Sequence, residues 1–142
     1  MKLGFLTACL PKRSLEDICA WAAAQGFEAL EVAAWPDLGD RPFVATHLNA
    51  DGFGDKEADE TKALFDRHGL TLSSLAYYDN NLDPDPAERT AHHEHLHRCI
   101  DAAARLGCPT VGHPSRAAAS MQRCTCSWWA ARSAGSGSRL LS

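Results

Sequence analysis

Residues 14–33 read SLEDICAWAAAQGFEALEVA, a helix pattern and a strand pattern joined at one glycine. Ser14 is a suitable N-cap, and Asp17, three residues later, stands in capping-box register. Apolar residues then recur along one helix face at i, i+3, i+4 and i+7 spacing: Leu15, Ile18, Cys19, Ala22 and Ala23. Gly26 fits the left-handed stop of a helix, and residues 27–33 form an apolar run of strand length. The stretch therefore predicts a helix followed by a buried strand.

The same unit of helix, glycine and strand occurs three times in the first 112 residues, with stops at Gly26, Gly69 and Gly107. Asp85 followed by Pro86 is a strong helix start, because Asp caps the first turn and Pro suits its first position. The predicted elements are a strand at 2–7, a helix at 14–25, a strand at 27–33, a helix at 55–68, a strand at 70–76, a helix at 85–106 and a strand at 109–112.

Strands that alternate with helices of this length predict an α/β fold, with right-handed crossovers and a parallel sheet. Two architectures fit four such units: an open doubly wound sheet, or the first half of a (β/α)₈ TIM barrel. A complete barrel takes about 250 residues, whereas this chain has 142. The sequence pattern therefore accounts for the first four βα units of a barrel.

The pattern stops within residues 107–121, GCPTVGHPSRAAASM. Residues 1–112 carry 10 Lys and Arg against 18 Asp and Glu, whereas residues 113–142 carry four Arg and neither Lys nor an acidic residue. Such a change of composition marks segments of different origin or role. We predict a barrel half at 1–112 and an irregular Arg/Ser/Ala-rich tail at 113–142. A tail of this composition is what a GC-rich gene yields in a wrong reading frame, so we expect a frameshift near codon 112.

Composition also argues against several classes of partner and location. The formal net charge of −4 disfavours a nucleic-acid partner, which a basic stripe would normally meet. The N-terminal apolar run is too short to span a bilayer and lacks a cleavage site, so we expect neither membrane association nor export, and predict a cytoplasmic protein. In that reducing compartment Cys9, Cys19, Cys99 and Cys108 are expected to be small buried hydrophobes.

Chemistry in such folds lies where the strands end at their carboxyl side. Polar and aromatic residues lie near the carboxyl ends of the second and third predicted strands and in the connections that follow them. We take six of them as candidate substrate-binding residues: Glu31, Trp35, His47, Tyr78, Asn80 and Asn81. Aromatic faces with amides and carboxylates between them suit a polyhydroxylated small molecule. Plainer interpretations stay open. The run at 79–81 is rich in turn formers, Glu31 could be a solvated strand end, and His47 could be a structural hydrogen-bonding group.

Two motif matches do not hold up. Residues 93–97, HEHLH, match the H-E-x-x-H pattern of zinc peptidases, but Leu96, Ile100 and Ala103 define the predicted buried stripe and leave both histidines on its flank. No acidic residue follows Asp101 to complete a zinc site. Cys124 and Cys126 stand one residue apart without a second pair at metal-binding spacing.

Three stretches carry a family resemblance: MKLGFLTACLPKRSLEDICAWAAAQGFEALEVAAWP, HGLTLSSLAYYDNNLDPDPAER and CIDAAARLGCPTVG. Over about residues 1–112 the chain resembles the sugar phosphate isomerase/epimerase family, the xylose isomerase-like TIM barrels. The superfamily also contains relatives of the endonuclease that acts at abasic DNA sites, a minor alternative that the negative charge disfavours.

The resemblance implies an isomerase or epimerase that holds Mn²⁺, Mg²⁺, Co²⁺ or Zn²⁺ through two Glu, an Asp and a His. The metal and the carboxylates then move a proton next to the carbonyl of a sugar or polyol. In the family these ligands come from the second half of the barrel, and the first half supplies pocket walls.

This chain departs from the family pattern at His113, so no catalytic residue or metal ligand can be assigned in it. We expect the chain as written to bind no metal and to turn over no substrate. We also expect it to self-associate through the open edges of its sheet. The alternative from a different class is a small non-catalytic α/β domain with a disordered basic tail.

Overall fold

Four parallel strands form a sheet in the order β1-β2-β3-β4. The structure, a computed structural model, describes residues 1–37 and 45–113. The strands are β1 (Gly4–Leu6), β2 (Ala29–Ala33), β3 (Thr71–Ala76) and β4 (Val111–Gly112), and the helices are α1 (Leu15–Ala24), α2 (Asp55–Arg67) and α3 (Pro86–Leu106), with a 3-10 turn at Thr7–Cys9. Every predicted element is present, and its ends differ from the prediction by a few residues.

The strand order separates the two architectures that the sequence left open. In a doubly wound sheet the order reverses at a switch point, and helices cover both faces. Here consecutive strands are neighbours throughout. Right-handed crossovers in one direction place all helices on the same face. The fold is therefore a partial TIM barrel, and its second face corresponds to the barrel interior.

Local sequence accounts for the helix ends. The Ser14 hydroxyl accepts a hydrogen bond from the Asp17 N–H at 3.1 Å, and the Asp85 carboxylate accepts one from the Ala87 N–H at 2.8 Å. Gly107 ends α3 with φ +67°, a conformation that side chains disfavour. The predicted caps and stops are confirmed at both helices.

The core lies between the helices and the outer face of the sheet. Its fully buried members include Ile18, Cys19, Ala22, Leu30, Val32, Leu75 and Cys99. The connection between β2 and α2 also contributes to this core, since Ala45, Leu48 and Ala50 are buried. It is tied to the sheet where the Ala33 carbonyl accepts the N–H groups of residues 47 and 48 at 3.0 and 3.1 Å.

The predicted buried stripe of α3 is confirmed at Ala103, which is buried, and at Leu96, which packs partly buried against the core, but it is wrong at Ile100. Ile100 is 47% exposed, whereas His95 is 2% exposed and Cys99 is fully buried. The helix turns the side of His95 and Cys99 towards the sheet, together with Ala102, Ala103 and Leu106. Small residues let a helix approach a sheet closely, and a polar group there can bond the strand ends. Counting only large apolar residues missed both effects.

The cysteine prediction is correct for three residues and wrong for one. Cys19, Cys99 and Cys108 are buried, whereas Cys9 is exposed because it lies in the turn after β1. The tail at 114–142, with Cys124 and Cys126, lies outside the described residues. Among the helices of residues 1–37 and 45–113, none has the length and apolarity needed to cross a membrane.

We predict that Asp85→Ala lowers the free energy of unfolding by about 1 kcal/mol, because the first turn of α3 loses its cap. Urea denaturation followed by circular dichroism measures the change. Glu94→Ala, at an exposed position within the same helix, serves as the matched control and should change stability little. Equal losses in both variants would contradict the capping role of Asp85.

Candidate functional site

Glu31 and Tyr78 meet on the inner face of the sheet. Leu30 and Val32 are fully buried on the helix side, so Glu31 between them points to the opposite face. The Tyr78 hydroxyl donates a hydrogen bond to the Glu31 carboxylate. Burial first, and then the negative charge and hydrogen bond of Glu31, raise the pKa of Tyr78 well above its usual range. The phenol is therefore a stable hydrogen-bond donor at neutral pH.

Gly112 completes this contact from β4. A Cβ atom at Gly112 would lie 2.9 Å from Cε1 and the hydroxyl of Tyr78, and 3.0 Å from Oε1 of Glu31. A side chain there would displace one of the two partners. Residues of β2 and β4 and the segment after β3 therefore meet at one point on the inner face. Gly112 is a site residue that the sequence analysis missed. Glycine is required at position 112 because Tyr78 and Glu31 approach it closely, not because its φ is positive. The local sequence therefore contains no signal that would have predicted it.

Three aromatic residues follow the carboxyl ends of β2 and β3: Trp35, Tyr77 and Tyr78. We call them the aromatic wall, and it shares Tyr78 with the Glu31–Tyr78 pair. The Trp35 ring meets the Tyr78 ring at 5.5 Å and 85° between planes, and the Tyr77 ring at 6.4 Å and 67°. Both are edge-to-face contacts, a preferred arrangement of aromatic pairs. Trp35 is only 4% exposed, so its position depends on its neighbours.

His47 belongs to a separate network at the ends of β1 and β2. Its Nδ1 lies 2.9 Å from Oγ1 of Thr7, and that oxygen also accepts the Ala33 N–H at 2.9 Å. Burial lowers the pKa of His47, and backbone carbonyls at Leu10 and Arg13 offset part of that shift. The imidazole is therefore neutral at neutral pH.

The two asparagines play different parts. Asn80 is used within the turn, since its side chain accepts the Leu82 N–H at 3.1 Å and its amide nitrogen lies 3.3 Å from Asp83. Asn81 is 7% exposed, and neither its amide nitrogen nor its amide oxygen has a partner among the described residues. Buried amides normally form hydrogen bonds, so Asn81 retains capacity for a ligand. Asn80 fits the turn-forming interpretation.

The described residues do not fit the metal that the family implies. Within residues 1–37 and 45–113, no three His, Cys, Asp or Glu side chains come together as a metal site would require. The H-E-x-x-H match is likewise structural: His93 Nε2 lies 2.9 Å from the Asn81 carbonyl oxygen, and His97 is exposed. No step of chemistry through a metal can be assigned to these residues.

The grooves on the outer surface are distinct from the inner-face pair. One of about 320 Å³ lies between α2 and the start of β3, and another of about 280 Å³ has His47 in its wall together with Phe53 and Glu57 of the α2 side. Neither is lined by Glu31 or Tyr78. Of the six candidates, the structure thus brings together Glu31, Trp35 and Tyr78, and places the others elsewhere at the same end of the sheet.

The sequence profile of one protein family, described as the xylose isomerase-like TIM barrel, matches residues 19–132. The chain belongs to this family. The match agrees with the strand order and extends past Gly112, where we expected the likeness to end. The domain boundary and the frameshift stay predictions. Comparison with curated proteins gives no match.

Three solved structures have folds similar to this one. D-psicose 3-epimerase from Clostridium cellulolyticum H10 has a TM-score of 0.59 at 22% identity, covering 80% of this chain and 37% of its own. A sugar phosphate isomerase/epimerase from Parabacteroides distasonis has 0.52 at 20% identity, covering 81% and 39%. The probable 3-DHS dehydratase AsbF from Bacillus anthracis has 0.50 at 20% identity, covering 80% and 38%. The chain thus spans under two fifths of the length of each structure.

We predict that the Tyr78 hydroxyl stays protonated as the pH rises through 10.0, the ordinary pKa of tyrosine. Ultraviolet absorbance in a Tyr77→Phe background isolates Tyr78, since the chain has two tyrosines. Adding Glu31→Gln removes the carboxylate charge and should bring the ionisation part of the way back, because burial remains. Glu94→Gln is the control. An ordinary titration of Tyr78 in the otherwise native protein would contradict the contact.

We predict that the free energy of unfolding falls as the pH drops below 6.5, the ordinary pKa of histidine. Below that pH the unfolded chain protonates position 47 while the folded protein, with its lowered pKa, does not, so protons favour unfolding. His47→Gln should flatten this part of the curve, and His97→Gln, at an exposed site, should not. Urea denaturation at several pH values measures the slopes. Identical slopes in native protein and His47→Gln would contradict the assignment.

Proposed function

We propose that this chain carries the sugar-facing first half of a sugar or sugar phosphate isomerase/epimerase barrel. The observation that supports this most is the Glu31–Tyr78 pair beside the aromatic wall. It stands on the inner face at the carboxyl ends of the strands, where barrels of this kind bind substrates. The family membership and the epimerase and isomerase among the similar structures support the same conclusion.

The chemistry of the site suits a polyhydroxylated ligand. The Glu31 carboxylate has acceptor capacity beyond the bond from Tyr78, and sugar hydroxyl groups are donors. Tyr78, the partly exposed ring of the aromatic wall, can pack against the C–H face of a sugar. The unpartnered amide of Asn81 offers a donor and an acceptor. Recognition of this type combines apolar platforms with a few placed polar groups.

The reaction that the family resemblance implies transfers a proton at the carbon atom next to a carbonyl group. That step needs a base and a group that stabilises the developing oxyanion. Among the described residues, Glu31 is the carboxylate of the inner-face pair, and it is held by Tyr78. We therefore assign the described part of the chain to substrate binding and orientation. We propose that this chain alone does not catalyse the reaction.

Binding and metal dependence can be measured separately on the full chain. We expect D-tagatose, used as a probe sugar, to bind in isothermal titration calorimetry. We expect Glu31→Gln or Tyr78→Phe to weaken that binding by about tenfold, the value of one good hydrogen bond to a charged group. Glu94→Gln is the matched control. Absence of sugar binding, or equal binding in all variants, would overturn the proposed binding role.

The same calorimeter tests the expected lack of a catalytic metal. Mn²⁺ and Mg²⁺ prefer oxygen ligands, so they report on carboxylates rather than thiols. We expect no saturable binding of either ion and no isomerisation of the probe sugar with either present. Saturable binding that Glu31→Gln or His47→Gln abolishes would contradict the proposal, as would turnover of the sugar.

A further inference from the structure

One imidazole contacts the ends of both β2 and β3. His95 lies in α3, is 2% exposed, and its Nε2 is 2.7 Å from the carbonyl oxygen of Ala34. Its ring also packs against the Tyr77 ring, with centroids 4.5 Å apart and planes at 58°. Ala34 directly precedes Trp35, and Tyr77 directly precedes Tyr78. The contacts of His95 thus reach both backbone segments that carry the aromatic wall.

The hydrogen bond to the Ala34 carbonyl determines which ring nitrogen of His95 donates a proton. A carbonyl oxygen can only accept, so Nε2 must carry the proton. Nδ1 is buried and has no hydrogen-bond partner among the described residues. A buried polar group that is only half satisfied costs free energy. A leucine or methionine would fill the same space at lower cost if filling were the only task.

The Ala34 carbonyl sets the orientation of the peptide group between Ala34 and Trp35. On the other side of the same peptide group, the Trp35 N–H donates to the Ala45 carbonyl at 3.3 Å. In the preceding peptide group, the Ala34 N–H donates to the Ala76 carbonyl at 2.9 Å, which continues the pairing of β2 with β3. The carbonyl receives the imidazole from α3, with the Cys99 thiol at 3.6 Å as a weaker second donor. Rotation of this peptide group would move the indole that packs against Tyr78.

Tyr77 is held in the same way from two sides. Its hydroxyl lies 3.0 Å from Nδ1 of His92, one turn earlier in α3, and its N–H donates to the Gly112 carbonyl at 3.0 Å. The ring of Tyr77 also packs against His95 in a tilted arrangement. The helix therefore contacts the hydroxyl and the ring of Tyr77 with two histidines three residues apart.

We propose that His95 is a positioning residue for the aromatic wall. Its Nε2–H orients the Ala34 carbonyl and its ring supports Tyr77, so that the buried Trp35 holds Tyr78 where a ligand on the inner face would meet it. The ligand-binding part of this inference rests on the proposed function. The positioning part rests on the contacts alone.

The tautomer is tested first, on the unaltered protein. Long-range nitrogen–proton NMR of the histidine rings should show His95 protonated at Nε2, with that proton protected from exchange with water. Protonation at Nδ1, or rapid exchange of the Nε2 proton, would overturn the proposal without any variant having to fold.

The position of Trp35 is tested with variants. Fluorine NMR on protein labelled with fluorotryptophan gives one resonance for each of the four tryptophans, and Trp35→Phe assigns the relevant one. His95→Leu should shift and broaden it, whereas His95→Gln, which retains an N–H donor, should restore it. His97→Leu, at an exposed position of the same helix, is the control. A purely space-filling role predicts a lower unfolding temperature in His95→Leu with the Trp35 resonance unmoved, and that result would overturn the proposal.

Titration with D-tagatose separates this inference from the proposed function. We expect His95→Leu to weaken binding by about tenfold and His95→Gln to stay within about threefold of the native protein. If the native protein does not bind the sugar, the proposed function fails, while the fluorine spectra still decide whether His95 positions Trp35. If the sugar binds equally well to His95→Leu, the positioning role for the ligand is wrong.

Discussion

The end of β2 is the point on which the rest of the described structure depends. The Ala33 N–H is bound by the Thr7 hydroxyl from the turn after β1, and the Ala33 carbonyl accepts two N–H groups of the long connection. At Ala34 the N–H binds β3 and the carbonyl binds His95 of α3. Backbone groups this deeply buried must find partners. Each partner here comes from a different element, so this short segment determines how those elements meet.

The outer face of the sheet is stabilised by apolar packing, whereas the inner face carries a hydrogen-bonded polar pair. The outer face packs Leu30, Val32 and Leu75 against the helices, and burial of these side chains stabilises the fold. The inner face carries a carboxylate and a phenol that satisfy each other, with Gly112 leaving room for both. Placing the polar pair on the face that the helices do not cover keeps the charge partly hydrated.

Histidines of α3 connect the helix to the carboxyl ends of the strands. His92 bonds Tyr77, His93 bonds the Asn81 carbonyl and His95 bonds the Ala34 carbonyl. The run HHEHLH, which matches a zinc motif by spacing, thus serves to attach loops to a helix. Imidazole suits this task because it is long enough to cross from a helix to a strand end and can donate or accept. The α3 face that bears these contacts differs from the one that aliphatic spacing predicted.

By itself, the sequence determined the helices, strands, caps and glycine stops, because these depend on neighbours within a few residues. It also placed Glu31, Trp35 and Tyr78 at strand ends, since parallel strands deliver their carboxyl ends to one edge. Only the tertiary structure decided that Glu31 and Tyr78 bond, that Gly112 leaves room for them, and that His95 rather than Ile100 faces the sheet. Those outcomes depend on strand register and on helix rotation, which are set by contacts between residues far apart in the chain.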